Sequence, residues 1–589
     1  MPSARTSLTR QAANGNAVGS PSASSTPSRE KEDGGRIIAG KAKAKAEDDV
    51  PALIIDLGSH SIRIANAKRH LLTCPNAIIR QRSSSSSSSS SELLVGPQID
   101  WRCTSFGSLA LRFPMERGFI IDWPAQKLIL DVSLAEAMRI EHETSSASSS
   151  SSSSSSFVAM MGQQRLLEGR KVIVTESALN FAELQQSLDV VFLEEYGAGS
   201  LWRCCAPQLV RYGLKPAAQC QLIVDVGHGA THIVPMLDDD VVWKAVRRQP
   251  ISGRMLTNLF KETLSFRQWD MMDETWLVGH IKEQSCFLAS SLGGLPTQSR
   301  RRKSHDQRPS DWSYADLVEM CQATRRANNP IVQEYVLPDY SRALPREDRL
   351  GYIARGPNAR GRKRSVAENW TEEDGFIAIR QDQEGRSDDR RDGVLGNRDL
   401  EEDEEEEEED DSDEFHEGQE GDEATSARPK RRQKRDKASK RVQGEPDDQL
   451  LILERERFQI PEVMFDPGML GLSLAPLHEV IEASIAACDE AMQGPLWSNI
   501  VLVGGGARMP GLKQRLEGEL RMLAPSEYPV KVQIPEDPVL AATRGAQVIL
   551  SAATSSSLSR MLRTRMVNGQ DWTPDLAKER FASWNSSSK

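Results

Sequence analysis

Four short apolar runs punctuate the chain, and each ends in turn residues. They are "LIIDLG" at 53–58, "KVIVTES" at 171–177, "LIVDVG" at 222–227 and "NIVLVGGG" at 499–506. Runs of this length, rich in Val and Ile and closed by Gly or Ser, read as buried strands. Between them lie stretches with apolar residues at helical spacing. "SGRMLTNLFKETL" at 252–264 starts from a Ser, and "LHEVIEASIAACDEAM" at 477–492 repeats the pattern. Strands alternating with helices predict an α/β protein. Two strands share a further plan: an apolar run, Asp-x-Gly, a polar turn, and a second apolar run. It occurs in "ALIIDLGSHSIRIANA" at 52–67 and in "LIVDVGHGATHIVP" at 222–235.

Polar blocks separate the apolar segments. Residues 1–49 form an N-terminal tail rich in Ser, Ala, Pro and Lys, without the apolar stretch of a secretory signal. Its first acidic residue is Glu30, as in mitochondrial transit peptides, but composition favours a disordered tail. Serine runs at 83–91 and 145–156 read as flexible insertions, and 291–328 with "SRRRK" reads as a polar loop. The block 341–449 holds "EEDEEEEEEDDSDE" at 401–414 and "RPKRRQKRDKASKR" at 428–441, single-sign tracts that repel themselves and stay solvated. The whole block is expected to be disordered. Core is therefore expected in two parts, 50–340 and 450–589, the second ending in a C-terminal tail.

Composition narrows the class. At 589 residues the chain is long enough for several domains, yet only 38% is hydrophobic, consistent with long stretches outside any core. The eight cysteines contain no C-x-x-C pair, which argues against a zinc site or a disulfide framework and for a reducing compartment. No apolar run is long enough to span a bilayer. Cys204 and Cys205 read as packing residues, and His232 as a core residue. Trp202, Trp243, Trp269 and Trp276 read as core or partner-surface anchors.

The repeated Asp-x-Gly turns carry the candidate chemistry. Glycines let backbone N–H groups approach a phosphate, and a nearby carboxylate is tolerable there only with a hydrated cation between. Asp56 and Asp225 fit as outer partners of Mg²⁺ waters. Two such hairpins could pinch a triphosphate, and a third turn, "GGGARMPG" at 504–511, could back the sugar and base. A single Asp-x-Gly is only a β-turn; two matched hairpins with a Gly-Gly-Gly turn point to a nucleotide.

These segments resemble the actin family. "IIDLGSHSIR" is similar to the first phosphate loop and "VDVGHGATH" to the second. "FPMERGFIIDW" (113–123), "VIVTESALN" (172–180), "IKEQSCFLA" (281–289), "RERFQIPEVMFDP" (455–467) and "NIVLVGGGARMPG" follow in family order. "FLEEYGAGSLWR" (192–203), "LTNLFKETLSFRQWDMMDET" (256–275) and "QEYVLPDY" (333–340) resemble the sixth subfamily of actin-related proteins.

The resemblance implies an actin-like ATPase fold, two RNase H-like halves around a nucleotide cleft, with long disordered insertions. It implies ATP or ADP with Mg²⁺ as cofactor. It places Asp56, Gly58, Ser59 and His60 on the first phosphate loop, with Arg63 in place of a phosphate-reaching lysine. Asp225, Gly227, His228 and Gly229 fall on the second loop. Lys282 and Glu283 fall beside ribose and adenine, and Gly504, Gly505 and Gly506 under the base. Asp56 and Asp225 are the implied metal-side carboxylates.

Three departures bear on activity. Gly199 is read at the position of the water-orienting glutamine, His228 stands where a second acid is usual, and Pro538 falls near a lysine that flanks adenine. The expectation is a nucleotide-binding scaffold whose hydrolysis is weak or lost, not an enzyme. By resemblance the chain is a non-filamentous nuclear subunit of a histone-variant-exchange remodelling complex. Its implied partners are a remodelling ATPase, a small zinc-bearing subunit, and histones or DNA of the nucleosome, with no membrane and no homopolymer. The serine run at 83–91 falls where actins carry a subunit-contacting loop, which argues against a filament. The acidic tract reads as a solvated linker or a histone-attracting tail, and the basic cluster as a nuclear import signal or a DNA contact. The alternatives are an active ATPase of the actin, sugar-kinase and chaperone superfamily, or a polymer-forming cytoplasmic actin relative.

Overall fold

The computed structural model describes residues 52–82, 91–145, 165–215, 218–293, 309–323, 329–340, 344–355, 449–551 and 556–573. The N-terminal tail, the acidic tract, the basic cluster and most of both serine runs lie outside them.

Two sheets built to one plan carry the fold. In the first, β1 (Leu53–Leu57), β2 (Ser61–Asn66) and β3 (His70–Pro75) form an antiparallel meander. β4 (Lys171–Glu176) and β5 (Ser200–Cys205) then add in parallel beside β1, giving the order β3-β2-β1-β4-β5. A short strand, Val567–Asn568, closes the β5 edge. In the second sheet β6 (Cys220–Val226), β7 (Thr231–Leu237) and β8 (Asp240–Val241) repeat the meander. β9 (Ile500–Val503) and β10 (Val532–Gln533) repeat the parallel addition, giving β8-β7-β6-β9-β10. These are the two RNase H-like halves.

The central strands are apolar throughout because both their faces are covered. Along β1, Leu53 and Ile55 enter a core with Ile129, Leu130 and Leu134 of α1 (Trp123–Ser145). Ile54, between them, points the other way into a core shared with the second sheet. Along β6, Ile223 enters that shared core, while Leu222 and Val224 face a third core with Leu256 and Phe260.

The shared core is built on two helices, α2 (Ala206–Gly213) and α3 (Ala541–Ser551). Their backbones are in direct contact. A Cβ placed on Gly545 would stand 1.7 Å from the Leu209 carbonyl oxygen, and one on Gly213 would meet Gly545 N at 3.4 Å. Only glycine permits this crossing, and the crossing sets the spacing of the two halves.

Three stretches differ from the sequence expectation. The polar loop expected over 291–328 carries a helix, Tyr314–Ala323. Ser313 Oγ accepts the Asp316 N–H at its start, and Leu317 is buried with Phe287, Ile331 and Phe458. Its apolar face was hidden by the basic residues before it. The block expected to be disordered over 341–449 contributes a strand, Tyr352–Arg355, paired with Gln333–Val336, which also pairs with Leu450–Leu453. Ile353 and the hydroxyl of Tyr335, which donates to the Leu350 carbonyl, fasten it to the core. The single helix expected over 477–492 is two, Leu477–Ala486 and Glu490–Ser498, because Asp489 turns extended and opens a new helix.

The crossing generates a paired prediction. Gly545→Ala should destabilise the protein by about 2 kcal/mol or more, since backbone must move to admit the methyl. Gly518→Ala, on an exposed helix face with nothing within 4 Å of the new Cβ, should be neutral or stabilise by up to about 1 kcal/mol. Denaturation midpoints of the two variants measured side by side check the contrast; equal midpoints would count against the crossing.

Candidate functional site

The two hairpins turn in the same way. Gly58 N donates to the Ser61 carbonyl at 3.2 Å, and Gly227 N to the Ala230 carbonyl at 3.1 Å. In each turn that carbonyl would stand 2.7 or 2.8 Å from a Cβ on the glycine, so both positions exclude any side chain. Asp56 and Asp225 sit two residues before these glycines, near the end of a buried strand. Their cross-strand neighbours differ: Arg63 faces Asp56, and His232 faces Asp225.

The halves bring both turns into one cavity of about 670 Å³. All fourteen residues named from the sequence line it: Asp56, Gly58, Ser59, His60, Arg63, Asp225, Gly227, His228, Gly229, Lys282, Glu283, Gly504, Gly505 and Gly506. The size falls within the range of small-molecule sites.

The polar groups inside are unevenly satisfied. Asp56 is buried, and both its oxygens are held: Arg63 Nη1 donates to Oδ2 at 2.6 Å and Thr175 Oγ1 to Oδ1 at 2.7 Å. Thr175 Oγ1 in turn accepts the Leu57 N–H at 2.9 Å, tying β1 to β4 through side chains. Arg63, expected to reach phosphates, is therefore turned onto Asp56, with its second arm on Ser61 Oγ at 3.0 Å. Lys282, expected beside the ribose, is pinned by the Gly253 carbonyl at 2.8 Å and Thr257 Oγ1 at 2.9 Å. Burial pushes its amine below the ordinary lysine range.

Asp225 is the exception. Its carboxylate lies against Gly504, where an added Cβ would stand 2.5 Å from Oδ1. Burial, then the nearby Asp56 charge, pushes its pKa up to about 6, against a smaller opposing effect of Arg63. A carboxylate held high in this way inside a cavity is relieved by a cation, so the residues fit a Mg²⁺-bearing ligand with Asp225 on the metal side. Among the described residues there is no group of three or more His, Cys, Asp or Glu placed to hold a metal ion.

The expectation for Gly199 is corrected. Gly199 precedes β5 at its far end, where its N–H donates to the Arg170 carbonyl and its carbonyl accepts from Gly569 N. It is not among the cavity-lining residues. The end of β5 that does reach the cavity is followed by Ala206 and Pro207, and α2 adds Val210. None of the three has a polar side chain able to orient a water.

The sequence also missed contributors. Thr175 and Ser177 line the cavity from the end of β4 and beyond it. Ser177 Oγ lies 3.3 Å from His232 Nε2, a contact that bridges the halves. His232, read as core, is indeed buried, but it also lines the cavity, and burial pushes its pKa down to about 4. Trp276 is a cavity residue stacked on His60. Cys204, Cys205 and Trp202 are core, whereas Trp269 is partly exposed and donates to the Leu450 carbonyl.

Comparison with known proteins agrees with this architecture. The actin family model matches residues 47–565. The chain belongs to the actin family. Its relatives include an actin-like protein ARP6 of Cryptococcus neoformans, 26% identical over 87% of this chain and 81% of its own. An actin-related protein 6 of Dictyostelium discoideum is 27% identical over 84% of this chain and 87% of its own. One from Arabidopsis thaliana is 26% identical over 77% and 82%. The actin-related resemblance read from the motifs therefore holds.

Asp225 gives a test without ligand. A folded pKa raised from 3.8 to about 6 means its contribution is fully present below about pH 4 and is lost as pH rises through 6. Asp225→Asn should thus make the ligand-free protein more stable at pH 7, by up to about 3 kcal/mol, with little effect near pH 4. Melting curves across pH 4 to 8 check it; a variant less stable at pH 7 would show that the carboxylate is held by partners instead.

Proposed function

We propose that this chain is a non-filamentous actin-related subunit of a nuclear assembly that exchanges a histone variant into nucleosomes, acting as a nucleotide-stabilised scaffold. The observation that carries the reading is the run of relatives named actin-related protein 6, matched over most of both chains. In this reading the chain presents a rigid surface to a remodelling ATPase and a small zinc-bearing subunit, and through them to the nucleosome. It acts in the nucleus, with the basic cluster at 428–441 as its import signal.

In this reading the cavity holds an adenine nucleotide with Mg²⁺. The two glycine turns would hold phosphates, Asp225 the metal's waters, and Lys282, Glu283 and Gly504–Gly506 the sugar and base; Asp56, expected on the metal side, is instead taken up by Arg63 and Thr175. When bound, the metal supplies the positive charge that Asp225 lacks. The nucleotide's role is to tie the halves together. A ligand held at a thousand times its dissociation constant stabilises a fold by about 4 kcal/mol. In this reading hydrolysis is weak.

The test is tagged purification from nuclear extract with identification of the co-purifying proteins. A large remodelling ATPase together with a variant histone dimer is the expected result. Recovery of only cytoskeletal proteins, or phosphate release from pure protein well above background, would overturn the scaffold reading.

A further inference from the structure

The tips of the two hairpins touch, and the space beside their contact is filled by rings. A Cβ on Gly229 would lie 2.6 Å from both Ser59 Oγ and Gly118 N, so no side chain separates the tips there. Next to this contact His60 and His228 meet edge to face, with ring centroids 5.0 Å apart. His60 stacks on Trp276 at 5.8 Å, and Trp276 on Phe106 at 6.0 Å. His228 leans on Phe113 at 6.3 Å. A row of five rings thus crosses from one half to the other through the two loop tips.

The cations that line the cavity are already engaged, and Arg254, which faces His228 from outside the lining, rests on the Met115 carbonyl and the Phe113 ring. Three cationic side chains line the cavity among the described residues, and each has a partner: Arg63 holds Asp56, Lys282 holds Gly253 and Thr257, and Arg508 holds Asp537. Desolvation within the cleft lowers both imidazole pKa values, and neighbouring charges add to it: Lys282 and Arg63 at His60, and His60, Lys282 and Arg254 at His228. Glu283 opposes this at His60.

Given the nucleotide reading above, on which this inference rests, we propose that the His60–His228 pair closes the phosphate end of the cavity to a third phosphate and makes it a nucleoside diphosphate site. A polyphosphate lying between the turns, its base toward Gly504–Gly506, points its last phosphate at the loop tips. There it meets two imidazoles in a stacked row, which must part to admit it and so lose their ring contacts. It would also bring further negative charge beside Asp225, where each of the three lining cations already holds another group. A diphosphate stops short of both obstacles.

The experiment is calorimetric titration of the purified full chain with Mg·ADP and with Mg·ATP, repeated in His60→Gly and His228→Gly. The wild type should bind ADP at least about tenfold more tightly than ATP. In either variant the ratio should fall toward one because ATP gains affinity. ATP binding as tightly as ADP to the wild type, or a ratio unchanged in both variants, overturns the proposal while leaving the nucleotide reading intact. Binding of neither nucleotide to the wild type overturns both.

Discussion

The contact between Gly545 and the Leu209 carbonyl governs the rest of the molecule. It lets α2 and α3 cross with their backbones touching, in the layer between the two sheets. Because each central strand is buried on both faces, neither sheet can shift without opening a core. The crossing therefore fixes how far apart the β1–β2 and β6–β7 turns stand. Everything in the cavity follows from that distance: the meeting of Ser59 with Gly229, the bridge from Ser177 to His232, and the row of rings through His60 and His228.

Duplication of the fold did not duplicate its electrostatics. Both halves deliver an aspartate to the same place, two residues before a glycine turn. The residue across the hairpin then decides its state. Arg63 neutralises Asp56 within the first half, and Thr175 takes the remaining oxygen. His232 faces Asp225 on the neighbouring strand but turns to Ser177, so Asp225 is left to burial and to the charge of Asp56. One carboxylate is a structural tie. The other stores an unfavourable charge that a cation would relieve, a usual sign that a site is built around something it holds.

Much of this was legible in the sequence, for physical reasons that can be named. The hairpins were readable because Asp-x-Gly between two apolar runs leaves few conformations, and the same plan occurs twice. The fourteen residues named from the motifs all line one cavity. Gly545 was not readable, since a glycine in a helix shows its purpose only when the partner backbone is known. The Tyr314–Ala323 helix was masked by flanking charge, and the Tyr352–Arg355 strand is too short to show a period. Gly199 stands outside the cavity because it leads into β5 at the end away from it, which the motif alone does not show. The turning of Arg63 onto Asp56 depends on hairpin register, which sets every cross-strand pair at once.

The central claim is that one ligand is held by both halves together. Hydrogen exchange with and without Mg·ADP tests it most directly. The account predicts slowed exchange at three places at once: the turns at 58–61 and 227–230, and the glycine turn at 504–506. Protection confined to one hairpin, or absent from all three, would contradict it.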